Sequence, residues 1–254
     1  MNGCDRSGLM TVEEALEKLL AAAQPLSDTE TVSLMQALGR VLAADQQSPV
    51  DVPPADNSAM DGFALRFADC HAGEETTLPI SQRIPAGAVP EPLQPGSAAR
   101  IFTGAEVPPG ADTVVMQEQC RWDDARVTLA ADIKAGTNIR PIGQDIHRGA
   151  TVLVRGHRLK PQDLGLLASV GIAEVPVYRR LKVALLCTGD ELVEPGEPLP
   201  PGHIYNSNRF TLMGQLQALG FDYVDLGRVA DTPEATEQAL RRAATEADCI
   251  ISSG

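Results

Sequence analysis

Four short clusters bring polar side chains together at spacings that could do chemistry. Asp56-Asn57-Ser58-Ala59-Met60-Asp61-Gly62 packs two carboxylates and two small polar groups into one turn. Arg100-Ile101-Phe102-Thr103-Gly104 sets a hydroxyl and a glycine at a strand end. Asn138-Ile139-Arg140, followed by Gly143-Gln144-Asp145, places a carboxylate beside cations. Thr188-Gly189-Asp190-Glu191-Leu192 directly follows an apolar run. Each sequence also serves elsewhere as an ordinary turn or helix cap, so the combination carries the argument. Carboxylates and hydroxyls without His or Cys partners are hard oxygen ligands, suited to Mg²⁺ rather than zinc. Free backbone N–H groups in strand-end loops suit a phosphate. A strongly acidic protein that binds an anion needs a cation between them, and Mg²⁺ supplies it.

The elements that must position these groups follow from periodicity. Lys182–Cys187 reads as a buried strand, Asn208–Leu219 as a helix closed by Gly220, and Phe221–Leu226 as the next strand. Pro233–Ala247 reads as a second helix and Cys249–Ser252 as a third strand. Alternating strands and helices imply a parallel sheet with right-handed crossovers, and ligands sit at the carboxyl ends of such strands. Those ends are Thr188–Glu191, Ala230-Asp231 and Ser253-Gly254. Upstream, seven prolines between Pro79 and Pro109 separate β-like runs at Arg100–Thr103, Thr113–Gln117 and Arg126–Leu129. Proline cannot donate to a ladder, so a small β domain of short strands and loops is expected. At the N-terminal side, Thr11-Val12-Glu13-Glu14 has capping-box form ahead of an apolar stripe through Leu16, Leu19 and Leu20. A second amphipathic helix is expected with Leu34, Met35, Leu38, Val41 and Leu42 on one side, and both helices read as packing elements. Pro161 opens a further helix that Gly171 closes.

Composition narrows the function classes. The chain has 254 residues, 34 acidic side chains and 21 basic ones, a net charge of −13. That charge excludes a nucleic-acid binder, which needs clustered Lys and Arg, and disfavours an anionic membrane surface. The one basic stretch, Lys134–Lys160, has six Lys or Arg residues against the single acid Asp145, and reads as a solvated face or an anion contact. Aromatic residues are 4% and hydrophobic ones 43%, so the core must be aliphatic. No run approaches the ~18 apolar residues of a membrane span, and Met1–Met10 has no signal-peptide core. The five cysteines, Cys4, Cys70, Cys120, Cys187 and Cys249, form no C-x-x-C pair and read as free thiols in a reducing compartment. The four histidines share no metal-ligand spacing. P-loop, dinucleotide-binding and G-x-S-x-G motifs are absent from the sequence. The expectation is a cytoplasmic protein.

In register along the chain stand Leu38–Ala43 (LGRVLA), Asp56–Gly62 (DNSAMDG), Ile101–Ala105 (IFTGA), Val114–Gln119 (VVMQEQ), Gly143–Ile146 and Thr188–Leu192 (TGDEL). As a set they closely resemble the MoeA family of molybdopterin molybdenumtransferases, which includes the gephyrin E domain. The resemblance runs from Leu9 to Gly254, with DNSAMDG and TGDEL its most diagnostic pieces. It implies an α/β multidomain protein. An elongated connecting domain would take residues 9–50 plus 141–178, a small β domain 51–140, and the first half of a MogA-like parallel α/β domain 179–254. It implies Mg²⁺-dependent insertion of molybdate into adenylylated molybdopterin with release of AMP, in a homodimer. The active cleft would lie between the α/β domain of one subunit and the β domain of the other. A MogA-type adenylyltransferase and molybdoenzyme acceptors would be partners. By motif match, Asp61, Thr103, Asp145 and Glu191 would be catalytic, with Asp61 and Glu191 also holding metal. Asn57, Ser58, Arg140, Thr188, Gly189, Asp190, Asp231, Ser252, Ser253 and Gly254 would bind substrate, the last three opening a phosphate-cradling S-S-G-G-x-S loop.

The sequence departs from the family in two places. Where relatives often carry Arg-Arg-x-Gly-Glu-Asp, this chain has Arg140-Pro141-Ile142-Gly143-Gln144-Asp145, so one cation and one carboxylate are missing. Arg148 is positioned to compensate in part. The remainder of the serine-glycine loop and a C-terminal β domain, where lysines near molybdate are expected, lie outside the sequence. A truncated and inactive polypeptide is therefore expected. The alternatives are a MogA-type adenylyltransferase, against which the residues before Arg180 argue, and a scaffold or cofactor-handover protein of the gephyrin type.

Overall fold

A computed structural model describes residues 10–254. Cys4, Leu9 and most of the Met1–Met10 segment lie outside the described residues. In chain order, α1 (Val12–Ala22), β1 (Thr29–Ser33), the single-turn α2 (Leu34–Ala37), β2 (Gln46–Gln47) and β3 (Asn57–Ser58) come first. Next are β4 (Gly62–Leu65), β5 (Thr76–Ile84), β6 (Ala98–Ile101), β7 (Thr113–Met116), β8 (Cys120–Trp122) and β9 (Arg126–Leu129). β10 (Ile139–Arg140), β11 (Thr151–Leu153), α3 (Pro161–Ser169) and β12 (Glu174–Tyr178) follow. The last stretch holds β13 (Lys182–Thr188), β14 (Leu192–Val193), β15 (Ile204–Tyr205), α4 (Ser207–Leu219), β16 (Asp222–Val229), α5 (Pro233–Glu246) and β17 (Cys249–Ser253). Two compact units result. One takes the chain up to Val32, Gly39–Ala43 and Pro176–Gly254, and the other takes Ser33–Leu38 and Ala44–Val175.

The second unit is built on a six-stranded sheet of order β7-β4-β6-β5-β9-β8, antiparallel except where β5 runs parallel to β6. Its core has two apolar clusters, one of aliphatic residues around Phe63 (Leu65, Val127 and Leu129), the other around Ile84, Ile101 and Val114. The strand β5 contains Pro79, which has no N–H to donate. The ladder accommodates it by changing partner there, with Thr76–Pro79 on β9 and the residues from Ile80 onward on β6. Outside the sheet, three aspartates brace the connecting loops: Asp45, Asp51 and Asp56 accept the N–H groups of Arg155, Arg148 and Ile142 at 2.7, 2.9 and 2.7 Å.

The first unit carries a parallel sheet of order β16-β13-β17, with α4 and α5 as its crossovers. Val183–Cys187 are buried, which is why that run reads as continuous apolar sequence. Asn206 caps α4 through the N–H of Arg209, and Gly220 ends it at φ +77, a left-handed geometry that a Cβ would strain. At the opposite end of the sheet Arg179 grips Asp248 through two hydrogen bonds of 2.6 and 2.7 Å and also reaches Asp28. Asp248 additionally accepts the Lys182 N–H, and these donors hold its carboxyl down to about 2.

Two expectations need correction. The capping box at Thr11 forms as read, Glu14 N–H to Thr11 Oγ1 and Thr11 N–H to Glu14 carboxylate, yet no residue of α1 is buried and Leu19 is 70% exposed. Its apolar stripe is not packed among the described residues. The second helix is a single turn, because Gly39 takes φ +76 and Leu42 turns inward to bridge Val177 in extended conformation. No helix among the described residues is long and apolar enough to cross a membrane.

Candidate functional site

The polar groups fall into two constellations, one in each unit. In the second unit the controlling element is β4, a central strand whose first residue is Gly62. A Cβ there would stand 2.0 Å from the Val115 carbonyl oxygen of β7, so only glycine lets the strands approach this closely. Asp61, at the mouth of that strand, accepts two hydrogen bonds on Oδ1, from the N–H and the hydroxyl of Thr103, each 2.8 Å. These donors hold the Asp61 carboxyl below the usual range, the backbone N–H contributing most, then the hydroxyl, with the Arg100 charge adding to them against a smaller opposing effect of burial. Oδ2 is left without a protein partner among the described residues.

Ser58 and Asn57 support this turn from behind. Ser58 is 1% exposed. Its hydroxyl donates to Met60 O at 2.6 Å, and its backbone bonds both Ala105 and Gly104. It therefore shapes the Thr103-Gly104 turn. β3 pairs with β10, setting Asn57 opposite Arg140, and the Asn57 side-chain oxygen is buried without a hydrogen-bond partner. Arg140 in turn forms an ion pair with Asp145, whose N–H is bonded to Val52 O. Both partners are partly exposed, so the pair is an orienting contact more than a source of stability.

In the first unit Thr188 and Ser253 end β13 and β17, and Asp231 lies two residues past the end of β16. There Gly189 adopts φ +146 and lets the chain fold so that a Cβ would meet the Glu191 carboxylate at 2.8 Å. The Glu191 carbonyl accepts the Ile204 N–H at 3.0 Å, while its carboxylate has no hydrogen-bond partner among the described residues. Asp190 accepts the Asp231 N–H in a long bond of 3.4 Å, tying one strand-end loop to the next. Thr188, Glu191, Asn206, Asn208, Ser253 and Gly254 line one small cavity of about 80 Å³. Asn208 donates to Ser253 Oγ at 2.8 Å. Asn206 is 2% exposed, and its buried Nδ2 has no oxygen acceptor, only the weakly accepting Cys187 sulfur. A ligand oxygen would be a stronger partner for it.

The motif residues thus group as Asp61 with Thr103, Arg140 with Asp145, and Thr188–Glu191 with Asp231 and Ser252–Gly254. Sequence reasoning missed Asn206, Asn208 and Arg100. The asparagines had a visible signal, since Asn206-Ser207-Asn208 stands at the start of a helical pattern as a cap does. Arg100 had none, because the rings around it come from residues 63, 102 and 122. No group of three or more His, Cys, Asp or Glu side chains is placed to hold a metal ion among the described residues.

Comparison with known proteins covers most of the chain. Residues 10–171 match the family described as "MoeA N-terminal region (domain I and II)", and residues 184–254 match "Probable molybdopterin binding domain". A molybdopterin molybdenumtransferase of Haemophilus influenzae is 43% identical over 248 residues, 97% of this chain and 61% of the relative. One from a Nostoc species is 42% identical over 231 residues, 89% of this chain and 53% of the relative. The crystal structure of a molybdopterin biosynthesis MoeA protein from Pyrococcus horikoshii OT3 superposes with a TM-score of 0.88 at 34% identity, over 95% of this chain and 65% of that one. This chain spans 53–61% of the length of these two curated relatives.

Proposed function

The chain belongs to the MoeA family, and from that premise we propose that it takes part in molybdenum cofactor biosynthesis by inserting molybdate into adenylylated molybdopterin with release of AMP. The observation that carries this reading is the convergence of Thr188, Glu191, Asn206, Asn208 and Ser253 on one cavity at the carboxyl ends of a parallel sheet. That set holds hydroxyls, amides and a carboxylate, with no imidazole or thiol, and it suits a phosphate-bearing ligand. Ser253 and the Asn208 amide would engage phosphate oxygens, and the Asn206 donor would exchange its weak thiol contact for a ligand oxygen. Asp190 and Asp231 would set the loops around it.

Mg²⁺ fits the donor set. The ion characteristically takes one or two carboxylates and completes its shell with water and substrate phosphates, so a three-residue protein cage is not required. Asp61 Oδ2 in the second unit and the Glu191 carboxylate in the first are uncommitted hard oxygens, and each residue would serve as a carboxylate ligand to the ion in its own unit. When bound it would supply positive charge against phosphate and molybdate. Thr103 would keep Asp61 ionised and oriented, and Arg140, steadied by Asp145, would offer a cationic contact to an anionic ligand. The reading extends to a homodimer, to an adenylyltransferase as the source of the substrate, and to molybdoenzymes as acceptors of the product. The test is AMP release from adenylylated molybdopterin, with molybdate and Mg²⁺, by the protein in its natural full length. Asp61→Ala and Glu191→Ala should each abolish release. Undiminished release by both variants, or none by the unaltered protein, would sink the proposal. A scaffold that only hands on cofactor would be indifferent to both substitutions.

A further inference from the structure

Beside the Asp61–Thr103 turn, the β sheet of the second unit carries a cleft of about 430 Å³ lined by Arg83, Arg100, Phe102, Trp122, Asp123 and Asp124, among others. That volume falls in the range of small-molecule pockets. Its floor is an alternating stack of cations and rings. Arg83 lies 4.6 Å from the Phe102 ring centroid, and Arg100 lies 4.9 Å from Phe102, 4.8 Å from Trp122 and 4.9 Å from Phe63. The chain has nine aromatic residues of the Phe, Tyr and Trp types, and three of them surround this one guanidinium.

The two arginines differ in what they have left to give. Arg100 is 9% exposed and locked by hydrogen bonds to Gly62 O and the Gln117 side chain, so it is part of the wall. Arg83 is exposed and has no carboxylate partner among the described residues, in a chain of net charge −13. Its fork of N–H donors is uncommitted and held in place only by stacking. Beside it Trp122 is 49% exposed. The Asp123 carboxylate is spent on the N–H groups of Ala125 and Arg126, whereas Asp124 is exposed at the cleft edge.

We propose that this cleft binds a planar heteroaromatic ring carrying an anionic group, the anion on Arg83, the ring face against Trp122, and ring N–H donors toward Asp124. An apolar ligand would leave Arg83 unused, and a simple anion would leave Trp122 unused. Adenylylated molybdopterin contains two such ring systems, adenine and pterin, so the inference rests on the reading above for the ligand's identity.

Trp122 is the only tryptophan in the chain, so its fluorescence reports directly on the cleft. The experiment titrates the chain with AMP, pterin-6-carboxylate, adenosine and inorganic phosphate while Trp122 emission is followed. Quenching by AMP assigns the cleft to the adenylate, and quenching by pterin-6-carboxylate assigns it to the pterin. Adenosine and phosphate should bind at least about tenfold more weakly, and Arg83→Ala should weaken the active ligand by a similar factor. The urea midpoint of Arg83→Ala should stay unchanged, since the residue is exposed. Silence toward both AMP and pterin-6-carboxylate, or an Arg83→Ala protein that titrates like the parent, overturns the inference. AMP release read in parallel separates the two ideas: turnover with a silent Trp122 removes only the cleft.

Discussion

Gly62→Ala tests how the second unit holds Asp61 in place. The added methyl would lie 2.0 Å from Val115 O, 2.9 Å from Val115 C and 3.2 Å from Met116 Cα, all backbone atoms that cannot swing aside. Restoring a tolerable contact requires β4 and β7 to part by about 1 Å, which stretches good backbone hydrogen bonds beyond their useful length. The two strands pair over four residues, Gly62 to Leu65 against Met116 to Thr113. Losing about two of these bonds costs ~2 kcal/mol, and repacking the fully buried Phe63 and the nearly buried Val115 adds about 1–3 kcal/mol. The expected loss is about 3–5 kcal/mol, a large part of an ordinary domain's stability. Trp122 is the natural reporter, since its ring lies 5.8 Å from that of Phe63 in the same sheet. Urea unfolding followed by its fluorescence should show the midpoint falling sharply. Gly214→Ala in α4, where a Cβ meets nothing within 4 Å, is the control and should stabilise by about 0.5–1 kcal/mol. If Gly62→Ala costs less than about 1 kcal/mol, the close approach of β4 and β7 is not what fixes this strand.

Other predictions address charge and reactivity. Asp248 titrates at about 2 because Arg179 and the Lys182 N–H favour its ionised form. Its folded pKa is depressed, so the stabilisation is complete above the ordinary carboxylate value and disappears as pH falls through about 2. At 1.36 kcal/mol per pH unit the ceiling is ~2.4 kcal/mol, and solvent access cuts this to about 1–2 kcal/mol. Arg179→Ala should therefore show that deficit in urea at pH 7 and converge with the parent near pH 2; a deficit independent of pH contradicts the assignment. Thr103→Val removes one of two donors to Asp61 and should move the acid limb of the AMP-release profile to higher pH, while Thr103→Ser leaves it in place. An unmoved limb in the valine variant would show that the hydroxyl does not control Asp61. Burial pushes the Cys120 thiol up to about 11, whereas Cys249 is exposed. Iodoacetamide at pH 8 should label Cys249 well before Cys120, as peptide mass spectrometry would reveal, and the reverse order would refute the burial of Cys120.

The sequence was most legible where one physical rule acted alone. The run KVALLC is buried on both faces and becomes β13, and the Gly220 cap and Pro233 start bound their helices as their backbone preferences require. It was least legible where distant residues compete. Leu34–Leu42 has helical spacing, yet pairing of Leu42 with Val177, far along the chain, outweighs the local pattern. Pro79 argued against a long strand, but β5 spans it by exchanging neighbours. That the strand-end loops lie together was readable because topology places them there, whereas the ring stack on Arg100 depends on three separate strands and turns. The burial of the Asn206 amide nitrogen is invisible to sequence, since capping explains only its oxygen.

The direction of the Asp61 shift bears on what that carboxylate can do. A general acid must hold a proton near the working pH, which requires a carboxyl raised by burial or by a neighbouring anion. Asp61 has the opposite environment: two Thr103 donors and the Arg100 charge keep it ionised. An ionised carboxylate with one uncommitted oxygen repels phosphate unless a cation intervenes. The same holds for Glu191, which stands beside hydroxyl and amide groups suited to anions and has no basic residue lining its cavity. With a net charge of −13, the chain would place negative groups where the proposed ligand is negative too. Arg140 would lessen the conflict only in part, since its charge is shared with Asp145. A divalent ion would resolve it at each carboxylate, and that is the physical ground for proposing Asp61 and Glu191 as metal and charge contacts rather than as proton-transfer groups.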